Sequence, residues 1–172
     1  MGKKEFVPSI GPVKAKIIAN IVKKHKPKRI LEIGTLYGYS AILMANLLDD
    51  AADSVGSVVT IEIDKTVAKT AGKNMEDSGD ALEVIPKLRG KFDLLFIDAA
   101  KEEYLGYLKR AEKYLAKGAV VVADNVGISE NQMLDFLEYV RNQGRYKSQT
   151  IETKLEFTDD ISDAIELSIR IV

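Results

Sequence analysis

The sequence predicts an α/β protein, a doubly wound and mostly parallel sheet with helices on its faces and an antiparallel strand at the C-terminal end. Three observations carry this prediction. Short apolar runs alternate with longer stretches of helical periodicity, which implies right-handed crossovers between parallel strands. Four of those runs end in an acidic residue followed by a break: Glu32-Ile-Gly34, Glu62-Ile-Asp64, Asp98, and Asp124-Asn125. The last portion, in contrast, holds two extended runs with no helix between them.

The elements follow in order. Residues 13–25 set Val13, Ile17, Ile18, Ile21 and Val22 on one face at helical spacing with lysines on the other, and Pro27 ends the helix. KRILEI (28–33) reads as a buried strand, and SAILMANLL (40–48) as a helix that Ser40 can cap. The polar DDAADSVGS is a loop. VVTIEI (58–63) is the second strand, and KTVAKTAGKNMED the second helix, ending near Gly79. FDLLFID (92–98) precedes the helix EEYLGYLKRAEKYL, and GAVVVAD (118–124) precedes ENQMLDFLEYVRNQ. YKSQTIETKLEF and AIELSIRIV read as the antiparallel pair.

Composition limits the function classes. The 172 residues fit one domain spanning 1–172, and 46% hydrophobic with 30% charged residues suits a packed core. No apolar run approaches the roughly 18 residues that span a bilayer, and the N-terminal MGKKEFVPSIGP has no signal-peptide core, so a cytoplasmic protein is expected. Zero cysteines exclude thiolate metal sites, and the single His25 leaves a metal to oxygen ligands, which favours magnesium or calcium. His25 itself reads as solvated at a helix end. Residues 14–29 carry seven Lys or Arg and no acid, a pattern read first as a solvated helix face. Tyr104, Tyr107 and Tyr114 follow helical spacing and read as core or partner-facing residues.

In open parallel sheets ligands bind beyond the carboxyl ends of the strands, so acids at four such ends point to one crevice. The turn at the first of them, RILEIGTLYGYSAILMA (29–45), indicates the ligand. Leu36 and Tyr39 stand where a dinucleotide fingerprint needs its second and third glycines, and no G-x-x-x-x-G-K-[ST] loop exists for a triphosphate. Glu32 places a negative charge where a phosphate binder wants none, so a cationic ligand fits better.

LEIGTLYGYS, TIEID, FIDAAKEEY, VVADNV and KLEF, in this order, resemble the magnesium- and S-adenosylmethionine-dependent O-methyltransferases, the family of catechol and caffeoyl-CoA methyltransferases. The resemblance runs from about Pro8 to the end of the chain. It implies a Rossmann-like class I methyltransferase fold and S-adenosylmethionine as cofactor. Glu32, Gly34 and Ser40 would contact the methionine part with Ile10 nearby, Glu62 the ribose hydroxyls, and Asp80 and Ala81 the adenine, with Asp98 also on the cofactor side. These assignments have independent physical sense, because a sulfonium cofactor wants acids at its ammonium and diol and donors at its carboxylate.

The same resemblance implies a magnesium ion held by Asp98, Asp124 and Asn125, an oxygen set suited to an octahedral shell. Lys101 matches the general base, and Lys101, Asn125 and Glu156 would face the substrate, a catechol-like vicinal diol. The sequence departs from the family in two places. About ten residues that form an edge strand are lacking between NMEDSG and DALEVIPKL, so a strand between Asp77 and Leu82 is expected to be missing or shortened. Ala99 and Ala100 follow Asp98 where catechol-specific relatives carry an aromatic gate, so a more open pocket is expected. Two alternatives stay open: the lysines of 14–29 could track the phosphates of a transfer RNA whose hydroxyuridine is the acceptor, or the protein could bind the cofactor without catalysis. Relatives in the family are monomers or homodimers.

Overall fold

The computed structural model describes residues 10–49, 56–71, 77–78, 81–156, 158 and 160–172. The helices are α1 (Gly11–His25), α2 (Tyr39–Asp49), α3 (Lys65–Ala71), α4 (Ala81–Val84), α5 (Tyr104–Ala111) and α6 (Leu134–Asn142). The strands are β1 (Arg29–Ile33), β2 (Ser57–Glu62), β3 (Asp77–Ser78), β4 (Phe92–Ile97), β5 (Leu115–Ala123), β6 (Tyr146–Lys154) and β7 (Ser162–Arg170). They form one seven-stranded sheet in the order β3-β2-β1-β4-β5-β7-β6. β1 to β5 are parallel and β7 is antiparallel to both β5 and β6. This is the doubly wound arrangement that the alternation of strands and helices predicts, and it agrees with the fold that the resemblance implies.

Both faces of the sheet are covered, which explains why its central strands are almost continuously apolar. Leu31, Ile33, Leu95, Ile97, Val121 and Ala123 point toward α4, α5 and α6, where they pack with Tyr104, Leu108 and Phe136. Ile30, Leu94, Phe96, Val120 and Val122 point the other way, onto Ile18, Ile21 and Val22 of α1 and Met44 and Leu48 of α2. The alternation follows from the two-residue period of a strand. It also places Glu32 on the α1–α2 face, in register with Thr60 of β2 and Phe96 of β4. The strand order turns back between β1 and β4, and the ligand crevice of such sheets opens at that point.

Several sequence expectations shift. The edge strand is not absent: among the described residues, Asp77 and Ser78 of β3 pair with Ile61 and Glu62. The helix expected through Asp77 is described only to Ala71, and Asp77 belongs to the sheet. The helix expected over 102–115 is a 3-10 turn at Lys101–Glu103, then α5, then a second 3-10 turn at Glu112–Tyr114, and β5 begins three residues earlier than its apolar run. A short helix, α4, followed by a 3-10 turn at Ile85–Lys87 occupies a segment with no assigned element.

The buried face of α1 also differs. Val13 is 55% exposed, whereas Lys14 is 1% exposed beside Ala15, Ile18, Ile21 and Val22. His25 is half-buried rather than solvated, and burial, then the nearby Lys24, lower its pKa.

Candidate functional site

The glycine turn forms because two chain segments meet there at van der Waals limits. Gly34 has a φ of +93°, and a Cβ at this position would lie 1.9 Å from the carbonyl oxygen of Asp98. Only glycine satisfies both the left-handed backbone and this approach. Gly38, at φ +87°, closes the turn, with its N–H donating to the Thr35 carbonyl, and α2 starts immediately after.

Beyond this turn lies a cavity of about 650 Å³, a size suited to a small-molecule cofactor. Its walls include Ile10, Gly34, Ser40, Glu62, Ala81 and Asp98, six of the residues expected to hold the cofactor. Ala99 and Ala100 also line it. Asp80 lies outside the described residues.

Glu32 sits beneath the turn, fully buried. Its Oε2 accepts from the Thr60 hydroxyl, which in turn contacts Thr35 Oγ1. Its Oε1 has no well-formed hydrogen bond. Burial pushes the Glu32 carboxyl up to about 7; hydrogen bonds from Ser40 and Thr60 oppose this, and the charges of Asp98 and Glu62 add to it. A buried carboxylate oxygen with spare lone pairs suits an incoming ammonium.

Glu62 is held differently. Its Oε2 accepts the Thr35 and Leu36 backbone N–H groups at 3.2 and 2.8 Å, and Oε1 accepts the Asp64 N–H at 3.0 Å. The glycine turn's own donors thus fix the carboxylate that the cavity presents to a diol. Asp64, the other acid at this strand end, caps α3 through the Thr66 and Val67 N–H groups and has a structural role.

Past the ends of β4 and β5, Asp98 and Asn125 meet Lys101. Lys101 Nζ donates to Asp98 Oδ1 at 2.9 Å, Asn125 Oδ1 at 2.7 Å and the Tyr104 hydroxyl at 2.9 Å. The structure therefore gathers Asp98, Lys101 and Asn125 around one ammonium. Tyr104, expected to be core, is fully buried and also reaches the site: its hydroxyl donates to the Asp124 carbonyl at 3.2 Å. Its spacing of three from Lys101 was the available signal.

Asp124 is 1% exposed. Its Oδ1 accepts the Asn125 N–H and pairs with Lys14 Nζ at 2.8 Å, while Oδ2 is buried without a partner. Burial, then the Asp98 charge, raises its pKa, and Lys14 opposes them. Asn125 adopts a left-handed backbone, φ +59°, which asparagine tolerates, and its Nδ2 donates to Asp163 Oδ2 at 2.9 Å. That bond turns Asn125 Oδ1 toward Lys101.

The orphaned Asp124 Oδ2 and the outward amide oxygen of Asn125, beside Asp98, make a hard-oxygen set that fits magnesium. Glu156 pairs with Lys14, the same ammonium that pairs with Asp124. Asp124, Glu156 and Asp163 place carboxylate oxygens within 4.8 Å of one another, and Lys14 lies among them.

Lys14 and Asp163 were not among the expected site residues. Lys14 was read with the basic helix face, and that reading is corrected here. Burial disfavours its ammonium, but Asp124, with further hydrogen bonds to Asp163 and Glu156, raises its pKa overall. No local pattern marks a lysine whose acidic partner is 149 positions away.

Known proteins resemble this chain in sequence and in fold. The chain is 33% identical to "Catechol O-methyltransferase B" of Danio rerio, over 96% of this chain and 67% of that one. It is 35% identical to "Catechol O-methyltransferase" of Niastella koreensis, over 74% and 62%. The match to the latter thus spans under two thirds of the relative's length. An O-methyltransferase from Bacillus cereus solved with S-adenosylhomocysteine superposes with a TM-score of 0.83 at 26% identity, covering 96% of this chain and 84% of that one. TomG of Streptomyces achromogenes, solved with S-adenosylmethionine, gives 0.80 at 27%, covering 92% and 80%. The O-methyltransferase family profile matches residues 5–149, and the chain belongs to that family.

Proposed function

We propose that the protein moves the methyl group of S-adenosylmethionine to one hydroxyl of a metal-chelated vicinal diol, a catechol-like small molecule, with Lys101 as general base. The observation that carries this reading is the position of Lys101 Nζ, within 3 Å of Asp98 and Asn125, where Asp98 also lines the cavity of the expected cofactor residues. The relatives named for catechol methylation point to the same acceptor class.

Glu32 Oε1 accepts the methionine ammonium, and Glu62 accepts the ribose diol. Asp98, Asp124 through Oδ2, and Asn125 through Oδ1 would hold the divalent ion. When bound, the ion favours the ionised form of a coordinated hydroxyl, and the cofactor supplies an electrophilic methyl. Lys101 Nζ, in its neutral amine form, takes the proton from the attacking hydroxyl and then releases it to solvent, and Glu156 accepts a hydrogen bond from the second hydroxyl. The products are a methyl ether, S-adenosylhomocysteine and one proton. Positioning of the two reactants can supply roughly 7–11 kcal/mol of barrier reduction, so the residues that fix geometry carry most of the rate.

Calorimetry with S-adenosylmethionine, followed by methyl transfer to a catechol with magnesium or with EDTA, tests the reading. Tight binding and EDTA-sensitive transfer are expected; absence of binding overturns the cofactor role, and transfer that persists in EDTA overturns the metal role. A transfer-RNA acceptor is the second reading. Lys16, Lys23, Lys24, Lys26 and Lys28 remain exposed, while Lys14 is buried and Arg29 stacks on Phe92. Binding of unmodified tRNA that weakens steeply with salt would favour it.

A further inference from the structure

We propose that Lys14 is a positioning residue of the metal centre: its ammonium fills the space among Asp124, Glu156 and Asp163 in place of a divalent ion and confines the metal to the Asp98–Asn125 side of Asp124. The proposal rests on the metal reading above.

The geometry places Lys14 there by long-range packing. α1 starts at Gly11, whose left-handed φ of +58° turns the chain against Glu156; a Cβ on Gly11 would lie 3.4 Å from the Glu156 side chain. Lys14, three residues into the helix, then faces β7 and the end of β5. Its Nζ lies 2.7 Å from Asp163 Oδ2 and 2.8 Å from Asp124 Oδ1, and it pairs with Glu156. A lysine 1% exposed is tolerated only with such partners, since an unpaired buried charge is heavily penalised.

Two consequences reach the proposed metal ligands. Lys14 and the Asn125 N–H occupy Asp124 Oδ1, so Oδ2 alone is left for a metal. Asp163 Oδ2 receives both Lys14 Nζ and Asn125 Nδ2, so the same carboxylate oxygen that anchors the ammonium also sets the Asn125 amide with its oxygen toward Lys101. Lys14 therefore orients two of the three ligands without touching substrate or cofactor.

The electrostatics explain why a cation is built in. Three carboxylates converge at Asp124, Glu156 and Asp163, whereas the Asp98–Asp124–Asn125 set offers two carboxylates and an amide. Without the ammonium, the three-carboxylate cluster would be the stronger trap for a divalent ion. The metal would then sit on the wrong side of Asp124, away from Lys101.

Manganese binding by calorimetry, with no cofactor or substrate, tests this in four proteins. Wild type should bind the ion, and Asp98→Asn should lose at least about tenfold in affinity. Lys14→Met combined with Asp98→Asn should regain it, because the emptied cluster takes the ion; Lys14→Arg with Asp98→Asn should not. Folded Lys14→Met/Asp98→Asn protein that binds no better than Asp98→Asn alone overturns the proposal. If Lys14→Met does not fold without metal, saturating manganese should restore a cooperative melting transition, and failure to do so counts equally against it. A purely structural lysine would change the melting temperature and leave the ion's dependence on Asp98 unchanged. If wild type binds no manganese but the double variant does, the metal reading fails while the exclusion by Lys14 stands.

Discussion

The two ends of the crevice are built in different ways. At the cofactor end, Glu32, the glycine turn, Ser40 and Glu62 lie on one β-α-β unit, while Ile10, Ala81 and Asp98 complete the wall from elsewhere. The metal end draws Lys14 from α1, Asp98 from the end of β4, Lys101 from a 3-10 turn, Asp124 and Asn125 from the end of β5, and Glu156 and Asp163 from beside and within β7. The first end is mostly apolar and holds its acids with backbone N–H groups and hydroxyls. The second is a network of charges that satisfy one another. The comparison teaches that the acids proposed to grip the cofactor are placed locally by one β-α-β unit, whereas the residues proposed for the chemistry depend on the register of the whole sheet.

The largest effect that would break the comparison is at the metal end. Lys101→Met should lower kcat by roughly 10²–10⁴-fold, the usual contribution of a general base, with cofactor affinity nearly unchanged. Steady-state rates on a catechol together with calorimetry check this split, and a matching loss of cofactor affinity would show the two ends to be one unit.

At the cofactor end, Gly34→Ala should cost roughly 2–4 kcal/mol by urea unfolding, through strain at positive φ and overpacking. The Cβ would sit 1.9 Å from the Asp98 carbonyl oxygen, so the same variant should also disturb the Asp98 end of the crevice. This makes Gly34 the point where the two ends meet.

Glu32→Gln gives the smallest change and the sharpest sign. The folded protein keeps the Glu32 proton up to about pH 7, while an unfolded chain releases it near 4.5. The native state therefore binds more protons in this window, and wild-type stability falls as pH rises through it, with the full deficit above pH 7. Without cofactor, the variant should gain on wild type between pH 5 and pH 8 by up to about 3 kcal/mol in urea unfolding. Its affinity for S-adenosylmethionine should nevertheless fall about 10- to 100-fold, because a charged hydrogen bond to the ammonium is lost. A variant with no pH-dependent gain would show Glu32 to be ionised already in the empty site.

The cofactor end was legible because its information is local. Glu32 ahead of Gly34, with Leu36 and Tyr39 excluding a dinucleotide, indicated a cationic ligand, and six of the expected residues line one cavity. The metal end was legible only in part. Asp98, Lys101, Asp124 and Asn125 stand at strand ends that a parallel sheet brings together, and resemblance to the family gave them roles. Asp163 was missed, because a strand aspartate carries no local mark of what it touches; Tyr104 is core as expected, and its spacing of three from Lys101 was the one signal that it also reaches the site. Lys14 was misread because its lysine-rich neighbours suggest a solvated face, and Val13 because the periodicity of α1 allows a face rotated by one residue.

By itself the sequence determined the alternation of strands and helices, the acids at the strand ends and the glycine turn. Hydrophobic period and glycine backbone freedom act over a few residues and can be read there. Only the tertiary structure decided that Lys14 lies inside the acidic cluster, that Asp163 sets the Asn125 amide, and that Asp124 keeps one oxygen free. Each of those depends on burial, which makes an unpaired charge intolerable and forces partners together across 149 positions of chain.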